Sequence, residues 1–226
     1  FFLYLSFMNP HDICYGAGFD PRFPNKLRPH QIAATQKYIE LRKTLSDEEY
    51  RSQVPPVPGN TEPNGAYAEI KEIGSGSRNW TEEQWAFYRW MYCRLVEDVE
   101  QQIGRVLAAL EESGLADNTI VVFTSDHGEM NQSHGLVFKS QLLEEATRTP
   151  LIISGPKVKK NIVDSINLTC GIDLVPTICD LAGIPIPENL SGKSLKPILT
   201  GETNKIDRNY IIIESSSGYQ INDGRY

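Results

Sequence analysis

TIVVFTSDHGEMNQSHGLVFKSQLLEEATRTPLIISGP, residues 119–156, contains two short apolar runs separated by a polar cluster. The first run, Thr119 to Phe123, is β-branched and aromatic, which is typical of a strand buried on both faces in a parallel sheet. Asp126 and His127 come directly after this run. Ligands of open α/β sheets bind outside the carboxyl ends of the strands. The position of Asp126 and His127 therefore indicates a binding or catalytic site.

The rest of the stretch adds two basic side chains and a second strand. His134 and Lys139 extend the polar cluster. The apolar run from Leu151 to Ile153, which Gly155 ends, predicts the second strand.

A long amphipathic helix precedes this stretch. Thr81 and Gln84 form a capping-box pattern at its start, and Gly114 is a C′ terminator at its end. Apolar residues recur between them at steps of three and four, which predicts one buried face: Trp85, Tyr88, Met91, Leu95, Val99, Ile103, Val106 and Leu110. A helix followed closely by a strand is one step of a βαβ layer. The sequence therefore predicts an α/β fold, with a mostly parallel sheet and helices on both faces.

The outer parts of the chain give weaker patterns. Residues 1–7 predict a strand, with His11 near its carboxyl end. Residues 14–77 are punctuated by proline and glycine and contain a predicted helix near 29–45. They fit either a binding loop beside the pocket or a poorly ordered surface excursion. Two later elements are predicted, a helix over 171–183 and a strand over 210–213.

The composition is that of a globular protein and narrows the choice of partners. Hydrophobic residues make up 40% of the 226 and charged residues 23%, both ordinary values. A formal net charge of −7, without a basic stripe, argues against a nucleic-acid surface. No apolar run approaches the roughly 20 residues of a membrane span. The cysteines show neither C-x-x-C pairing nor zinc-type spacing, so the redox compartment stays open.

The chain opens with FFLYLSFM and has no initiator methionine. This run lacks the basic n-region and the small-residue cleavage site of a signal peptide. We therefore expect that sequence precedes residue 1 in the protein.

The polar cluster suits both a cation and an anion. The carboxylate of Asp126 and the imidazole of His127 are suitable ligands for one divalent cation. Lys139 is a compact positive charge that suits an anionic oxygen. Arg148, on the next helical segment, is predicted to tie the helix end to the sheet through an acidic partner.

Several longer motifs follow one another along the chain: FLYLSF-x-NPH, IGRVLAALEESGL, ADNTIVVFTSDHGE, SHG-x-x-x-K, EE-x-x-R-x-PLIISGP, IDLVPTICDLAGI and LSGKSLKPIL. Together they resemble the sulfatase family of the alkaline-phosphatase-like superfamily, over residues 1 to about 200. The resemblance implies a sulfuric ester hydrolase that acts on a sulfated carbohydrate. It also implies a divalent metal cofactor, in most such proteins Ca²⁺.

The resemblance also implies roles for individual residues. Asp126 and His127 match the family's metal ligands. Lys139 matches the lysine that contacts the sulfate oxygens, and His11 matches the histidine that contacts the sulfate and protonates the leaving oxygen. His134 is a predicted substrate-binding residue beside Lys139. In this scheme the cation and the lysine neutralise charge on the sulfuryl oxygens while an imidazole supplies a proton.

The chain departs from the family pattern at the nucleophile. The family's nucleophile is a formylglycine made from the Cys or Ser of a C/S-x-P/A-S-R motif, and none of the four cysteines begins that motif. The paired N-terminal aspartates of the family's metal site are missing as well. We therefore expect a partial catalytic domain over 1–205, with the 14–77 insertion near the pocket and 206–226 beginning a C-terminal subdomain or forming a final strand. Such a partial domain is predicted to be inactive alone and to self-associate through exposed sheet edges.

Two alternatives stay open. A phosphodiesterase or phosphonate hydrolase of the same superfamily shares the D-H-G and lysine arrangement. A non-catalytic glycan-binding remnant would bind sulfated glycans without turnover. The resemblance implies a periplasmic, secreted or lysosomal location, and the composition indicates neither nucleic acid nor a membrane as partner.

Overall fold

A computed structural model describes residues 1–16, 29–61, 77–139, 141–215 and 218–224. The chain divides into two compact units, Phe1–Ala109 with Glu129–Lys139 and Leu110–Gly128 with Ser140–Tyr226. Each unit contains buried residues of its own.

Helices form the first unit. It contains α1 (Ile13–Gly16), α2 (Pro29–Thr44), α3 (Asp47–Gln53) and most of α4 (Glu82–Glu112), with a 3₁₀ turn at Ser77–Asn79. The predicted helices near 29–45 and 81–113 are therefore confirmed. Residues 17–28 and 62–76 of the proline-rich segment lie outside the described residues.

The capping patterns in the sequence are present in the structure. The Thr81 N–H donates to Gln84 Oε1 at 2.8 Å, and the Gln84 N–H donates to Thr81 Oγ1 at 3.3 Å. Ser46 and Glu49 form the same reciprocal pair before α3. Such pairs satisfy N–H groups that a helix start leaves without an intrahelical acceptor. Helix α4 therefore begins where the sequence predicts.

The core of the first unit is largely aromatic. Trp80 and Trp85 pack with ring centroids 4.8 Å apart, and Tyr50 meets Trp90 edge-on at 5.7 Å. Tilted and edge-on arrangements are those that aromatic rings prefer. The buried members come from four helices and the segment after β1: Ile13, Tyr38, Tyr50, Trp85, Tyr88, Trp90, Met91, Leu95 and Val137.

The predicted apolar face of α4 is buried only in its first half. Its early members are buried, namely Trp85, Tyr88, Met91 and Leu95. Its later members are only partly buried, namely Val99, Ile103, Val106 and Leu110. The periodicity identifies the apolar face, whereas the depth of burial depends on packing partners that the pattern does not contain.

Residues 1–8 do not form the predicted strand. Their side chains are exposed, including Phe2 at 72% and Tyr4 at 77%. A strand needs a hydrogen-bonded neighbour, and none of the strands in the described part of the chain pairs with this segment. The prediction of a strand over 1–7 is therefore wrong, and His11 lies in the turn that leads into α1.

The second unit carries two antiparallel strand pairs. The strand β1 (Val121–Thr124) pairs with β2 (Leu151–Ser154), and β3 (Ile211–Ser215) pairs with β4 (Gly218–Asn222). The strands predicted near 119–123, 151–153 and 210–213 are therefore confirmed. Their pairing is antiparallel, whereas the sequence reading expected a mostly parallel sheet.

The strand β1 is not buried on both faces as predicted. Phe123 lies opposite Ile152 in the register, and the two side chains are exposed by 38% and 59%. A continuous apolar run is thus compatible with a strand that is partly exposed. The predicted self-association through sheet edges stays a prediction.

Helices and turns complete the second unit. Its helices are α5 (Glu144–Thr147), α6 (Leu174–Ala182) and α7 (Lys196–Thr200). The helix predicted over 171–183 is confirmed as a 3₁₀ turn, Gly171–Asp173, continued by α6 and ended by Gly183 at φ +71°. The alternation of helices and strands agrees with the predicted α/β class. Among the described residues, no helix is long and apolar enough to cross a membrane.

A buried ion pair fixes the start of α6. Arg208 donates two hydrogen bonds to the carboxylate of Asp173, at 2.5 and 2.6 Å. The backbone N–H groups of Cys170 and Lys193 donate to the same carboxylate at 2.9 and 2.8 Å. The Asp173 side chain is 0% exposed, and a buried charge needs this degree of pairing.

Candidate functional site

The polar segment after β1 leaves the sheet in a tight turn. The Ser125 hydroxyl donates to the carbonyl of His127 at 2.8 Å, and the Gly128 N–H donates to the carbonyl of Ala146 at 2.8 Å. A Cβ on Gly128 would lie 1.9 Å from the carbonyl oxygen of Glu145. Glycine is therefore required where the turn passes α5.

Asp126 and His127 converge at the end of β1, as the sequence predicts. Asp126 Oδ2 lies 3.4 Å from His127 Nε2, and the Asp126 side chain is 83% exposed. Asp126 Oδ1 accepts the His127 N–H at 3.0 Å. His127 Nδ1 lies 2.8 Å from the Gly128 carbonyl, which can only accept, so Nδ1 carries the proton.

This arrangement fits a metal-ligand pair. A ligating histidine ordinarily donates its second ring N–H to a carbonyl or carboxylate, which directs the lone pair of the other nitrogen to the metal. In His127 that lone pair is on Nε2, beside the outward-facing oxygen of Asp126. Within the described ranges, no group of three or more His, Cys, Asp or Glu side chains is arranged to hold a metal. The assignment of Asp126 and His127 as two ligands of a metal site stays a prediction.

The local environment keeps Asp126 ionised. Partial desolvation raises the pKa of Asp126, but the charge of His127 when its ring is protonated and hydrogen bonds to the carboxylate outweigh desolvation and hold the pKa below its ordinary value. A carboxylate in this state is a ligand for hard divalent cations.

The segment 129–139 forms a closed loop in the first unit. The Met130 N–H donates to the Phe138 carbonyl at 2.9 Å, and the Gln132 N–H donates to the Leu136 carbonyl at 2.9 Å. The buried guanidinium of Arg89 donates to the side chain of Gln132. These contacts hold the loop on helix α4.

Lys139 and His11 meet at the end of this loop. Lys139 Nζ lies 3.1 Å from His11 Nδ1 and 3.9 Å from Cys14 Sγ. An ammonium group only donates, so His11 Nδ1 accepts and the ring proton is on Nε2. The two residues predicted to be catalytic, Lys139 and His11, are therefore in contact. Burial raises the pKa of the Cys14 thiol although Lys139 acts in the opposite direction, so Cys14 is not an activated thiolate.

His134 lies at the tip of the loop. Its backbone N–H donates to the Asn60 carbonyl at 2.7 Å, and its Nε2 lies 3.3 Å from Asn60 Nδ2. His134 has φ +55° and ψ 23°, a left-handed conformation that is uncommon for a side chain of this size. Its assignment to substrate binding stays a prediction.

Arg148 has the acidic partner that the sequence predicts, but this partner belongs to the same helical segment. Arg148 Nη1 lies 2.5 Å from Glu144 Oε1, four residues earlier, and the Arg148 side chain is 74% exposed. This ion pair does not tie α5 to the sheet.

Glu129 is the residue that the sequence reading missed. Its carboxylate accepts the Phe138 N–H at 2.6 Å and the Tyr88 hydroxyl at 2.9 Å. Burial raises the pKa of Glu129, although these hydrogen bonds act in the opposite direction. The only sequence signal that singles out Glu129 is its position directly after the D-H-G motif.

Comparisons with known proteins identify the family. The family model described as Sulfatase matches residues 1–184. A Delta 4,5-hexuronate-2-O-sulfatase from Bacteroides thetaiotaomicron is 38% identical over 145 residues, which cover 63% of this chain and 30% of that protein. An Arylsulfatase K from Bos taurus is 38% identical over 117 residues, which cover 52% of this chain and 22% of that protein.

Solved structures include sulfatases and also neighbours that are named for a different chemistry. A 2-O GAG sulfatase superposes with a TM-score of 0.74 at 29% identity and covers 96% of this chain. The match covers 47% of that protein, so the chain spans about half its length. A phosphonate monoester hydrolase from Silicibacter pomeroyi superposes with a TM-score of 0.55 at 41% identity, over 58% of this chain and 26% of that one. The α/β fold predicted from the sequence is confirmed as that of sulfatases.

Proposed function

The chain belongs to the sulfatase family, and we propose that the whole protein hydrolyses a sulfate ester of a carbohydrate. The observation that carries this proposal is the contact of Lys139 with His11, at 3.1 Å. It places a positive charge beside an imidazole that carries its proton on the other ring nitrogen, and hydrolysis of a sulfate monoester uses both groups. The relatives named for sulfate groups on sugars support a glycan as the substrate.

Lys139 and His11 have complementary tasks in this proposal. The ammonium group of Lys139 stabilises negative charge on the sulfuryl oxygens. The Nε2 proton of His11 passes to the bridging oxygen as the S–O bond breaks, so that the sugar leaves as a neutral alcohol. The sulfuryl group passes to the family's nucleophile, for which this chain carries no motif. His134 is proposed to line the substrate pocket.

Sulfatases generally depend on a divalent metal, and we propose that Asp126 and His127 hold it. The oxygen and nitrogen lone pairs that face each other across 3.4 Å support this assignment. Ca²⁺ is the proposed ion, because the family resemblance implies it and the carboxylate of Asp126 supplies the oxygen ligand that Ca²⁺ takes. When bound, such an ion would supply Lewis-acid stabilisation of negative charge.

The test is sulfate release from sulfated saccharides by the whole protein, followed by ion chromatography. We expect release that chelation removes and Ca²⁺ restores. Lys139→Ala is expected to lower kcat about 100-fold, the size of the effect of removing one charge-stabilising donor. Lys43→Ala, at an exposed lysine of the same unit, is the matched control and is expected to retain full activity. No sulfate release from any sulfated saccharide would contradict the proposal.

Phosphonate monoester hydrolysis is the second candidate. The observation that favours it is the 41% identity to a phosphonate monoester hydrolase over 58% of the chain. The same assay with a phosphonate monoester separates the two functions. A kcat/KM for the phosphonate above that for every sulfated saccharide would replace the first proposal by the second.

A further inference from the structure

Phe138, the residue before Lys139, is held through both its backbone N–H and its backbone carbonyl. The Phe138 N–H donates to Glu129 Oε1 at 2.6 Å, and the Phe138 carbonyl accepts the Met130 N–H at 2.9 Å. Phe138 has φ +72°, a conformation that a bulky side chain adopts only where the surroundings impose it. The direction in which the chain enters Lys139 is thus set by the contacts of Phe138.

The acceptor in this arrangement is itself anchored to a helix. The Tyr88 hydroxyl donates to the same oxygen, Glu129 Oε1, at 2.9 Å. Tyr88 is 1% exposed and packs against Trp80 and Trp85, with centroids 5.4 and 6.3 Å away. A continuous line of contacts therefore runs from the core of α4 through Tyr88 and Glu129 to the residue before Lys139.

The far end of the Lys139 side chain is located by the same core. Lys139 Nζ contacts His11 Nδ1 at 3.1 Å and Cys14 Sγ at 3.9 Å. Between these two residues in sequence lies Ile13, which is 2% exposed and belongs to the cluster that contains Tyr88. Backbone and ammonium group of Lys139 are thus fixed from one packed cluster.

We propose that Tyr88 and Glu129 are positioning residues that fix the ammonium group of Lys139 for catalysis. The inference rests on the proposed function. Lysine is a point charge on a flexible stem, so its effect on a developing charge depends on how well its place is fixed beforehand. Tyr88 and Glu129 do not touch the substrate in this proposal, and they act only through Lys139.

A purely structural role for the Tyr88 hydroxyl is the alternative, and the chain offers a matched control for it. Tyr38 is 3% exposed, belongs to the same core cluster, and donates its hydroxyl to the carboxylate of Asp98. Tyr38→Phe therefore loses the same kind of hydrogen bond as Tyr88→Phe. Asp98 lies on α4, outside the loop that carries Lys139.

The first measurement compares kcat and KM for sulfate release by the whole protein and its variants. We expect Tyr88→Phe and Glu129→Ala to lower kcat about 10-fold with KM changed less than about twofold, because misplacement affects the transition state. Glu129→Gln keeps an oxygen acceptor for the Phe138 N–H and is expected to recover most of the loss. Tyr38→Phe is expected to stay within about twofold of the wild type.

The second measurement tests whether Tyr88 acts through Lys139. In a double-mutant cycle, Tyr88→Phe is expected to have no further effect on kcat in the Lys139→Ala background. Hydrogen exchange of the Phe138 amide gives a readout that is independent of activity. We expect faster exchange in Tyr88→Phe and an unchanged rate in Tyr38→Phe.

The outcomes separate this inference from the proposed function. A wild-type protein that releases no sulfate overturns the proposed function. A wild-type protein that releases sulfate, with equal kcat losses in Tyr88→Phe and Tyr38→Phe, overturns the positioning role alone. The positioning role is also overturned if Tyr88→Phe lowers kcat by the same factor in the wild type and in the Lys139→Ala variant.

Discussion

Two aspartates of the second unit, Asp126 and Asp173, have opposite surroundings. The Asp126 side chain is 83% exposed, and Oδ2 faces the Nε2 lone pair of its neighbour His127. The Asp173 side chain is 0% exposed, and both of its oxygens accept hydrogen bonds from Arg208 and from backbone N–H groups. The carboxylate oxygens of Asp126 are exposed and accessible to a ligand. Those of Asp173 are occupied by hydrogen bonds inside the protein.

The pKa does not distinguish these two roles. Burial raises the pKa of both carboxyl groups, and in both the neighbouring donors or charges outweigh burial, so that each pKa lies below its ordinary value. What distinguishes them is the number of lone pairs left after the internal hydrogen bonds are formed. A lowered carboxyl pKa is therefore a sign of a functional site only together with exposed, unsatisfied acceptor atoms.

The largest effect on stability is expected at the enclosed carboxylate. Asp173→Ala leaves the buried guanidinium of Arg208 without its partner, which costs about 3–5 kcal/mol in the free energy of unfolding. Urea denaturation of the whole protein measures this change. Asp126→Ala is the matched control and is expected to change the free energy of unfolding by less than about 0.5 kcal/mol, as for exposed positions. Equal losses in both variants would contradict the distinction.

Acid is expected to remove part of the same stabilisation. Because the folded state lowers the pKa of Asp173, the unfolded chain binds more protons at acid pH. The contribution is complete above the ordinary carboxyl value of 3.8 and is lost as the pH falls through the lower, folded value. Unfolding midpoints of the wild type and Asp173→Asn, from about pH 6 to about pH 3, measure this. We expect a smaller acid dependence in Asp173→Asn, and identical profiles would refute the linkage.

A smaller effect is expected where the exposed strand end passes α5. Gly128→Ala places a Cβ 1.9 Å from a backbone oxygen, and overpacking of this kind costs about 1–3 kcal/mol. Gly104→Ala in α4, where a Cβ meets nothing within 4 Å, is expected to stabilise by about 0.5–1 kcal/mol. Thermal unfolding of the two variants gives the comparison, and a neutral Gly128→Ala would show that the turn can move.

How much of this could be read from the sequence depends on the range of the interaction. Some elements follow from neighbouring residues alone and are present in the structure. They are the capping boxes at Ser46 and Thr81, the strand β1 and the helix α6. Asp126 and His127 were placed at a strand end by the same local reasoning. The two side chains lie close together because the residues are neighbours in sequence and the chain turns after β1.

Contacts between distant parts of the chain could not be predicted. Asp173 and Arg208 are 35 residues apart, and Tyr88 and Glu129 are 41 apart. No periodicity or motif links members of such pairs. The strand predicted over 1–7 failed for a related reason, because an apolar run becomes a strand only beside a partner.

The smallest effect is expected at the exposed ion pair of α5. Arg148 lies 2.5 Å from Glu144 with its side chain 74% exposed, and pairs of this kind contribute about 0.2–0.5 kcal/mol. A double-mutant cycle of Arg148→Ala and Glu144→Ala, followed by urea denaturation, measures the coupling. A coupling above about 1 kcal/mol would contradict this expectation, because it would be typical of a buried ion pair such as Asp173–Arg208.

Calcium affinity of the whole protein tests most directly the claim that the exposed strand end is a metal-ligand pair. Isothermal titration calorimetry compares the wild type with Asp126→Asn and with Asp117→Asn, which makes the same charge change at another exposed position of the second unit. We predict that Asp126→Asn weakens calcium binding at least about 10-fold, while Asp117→Asn leaves it within about twofold. Calcium binding by Asp126→Asn with the affinity of the wild type would contradict the account.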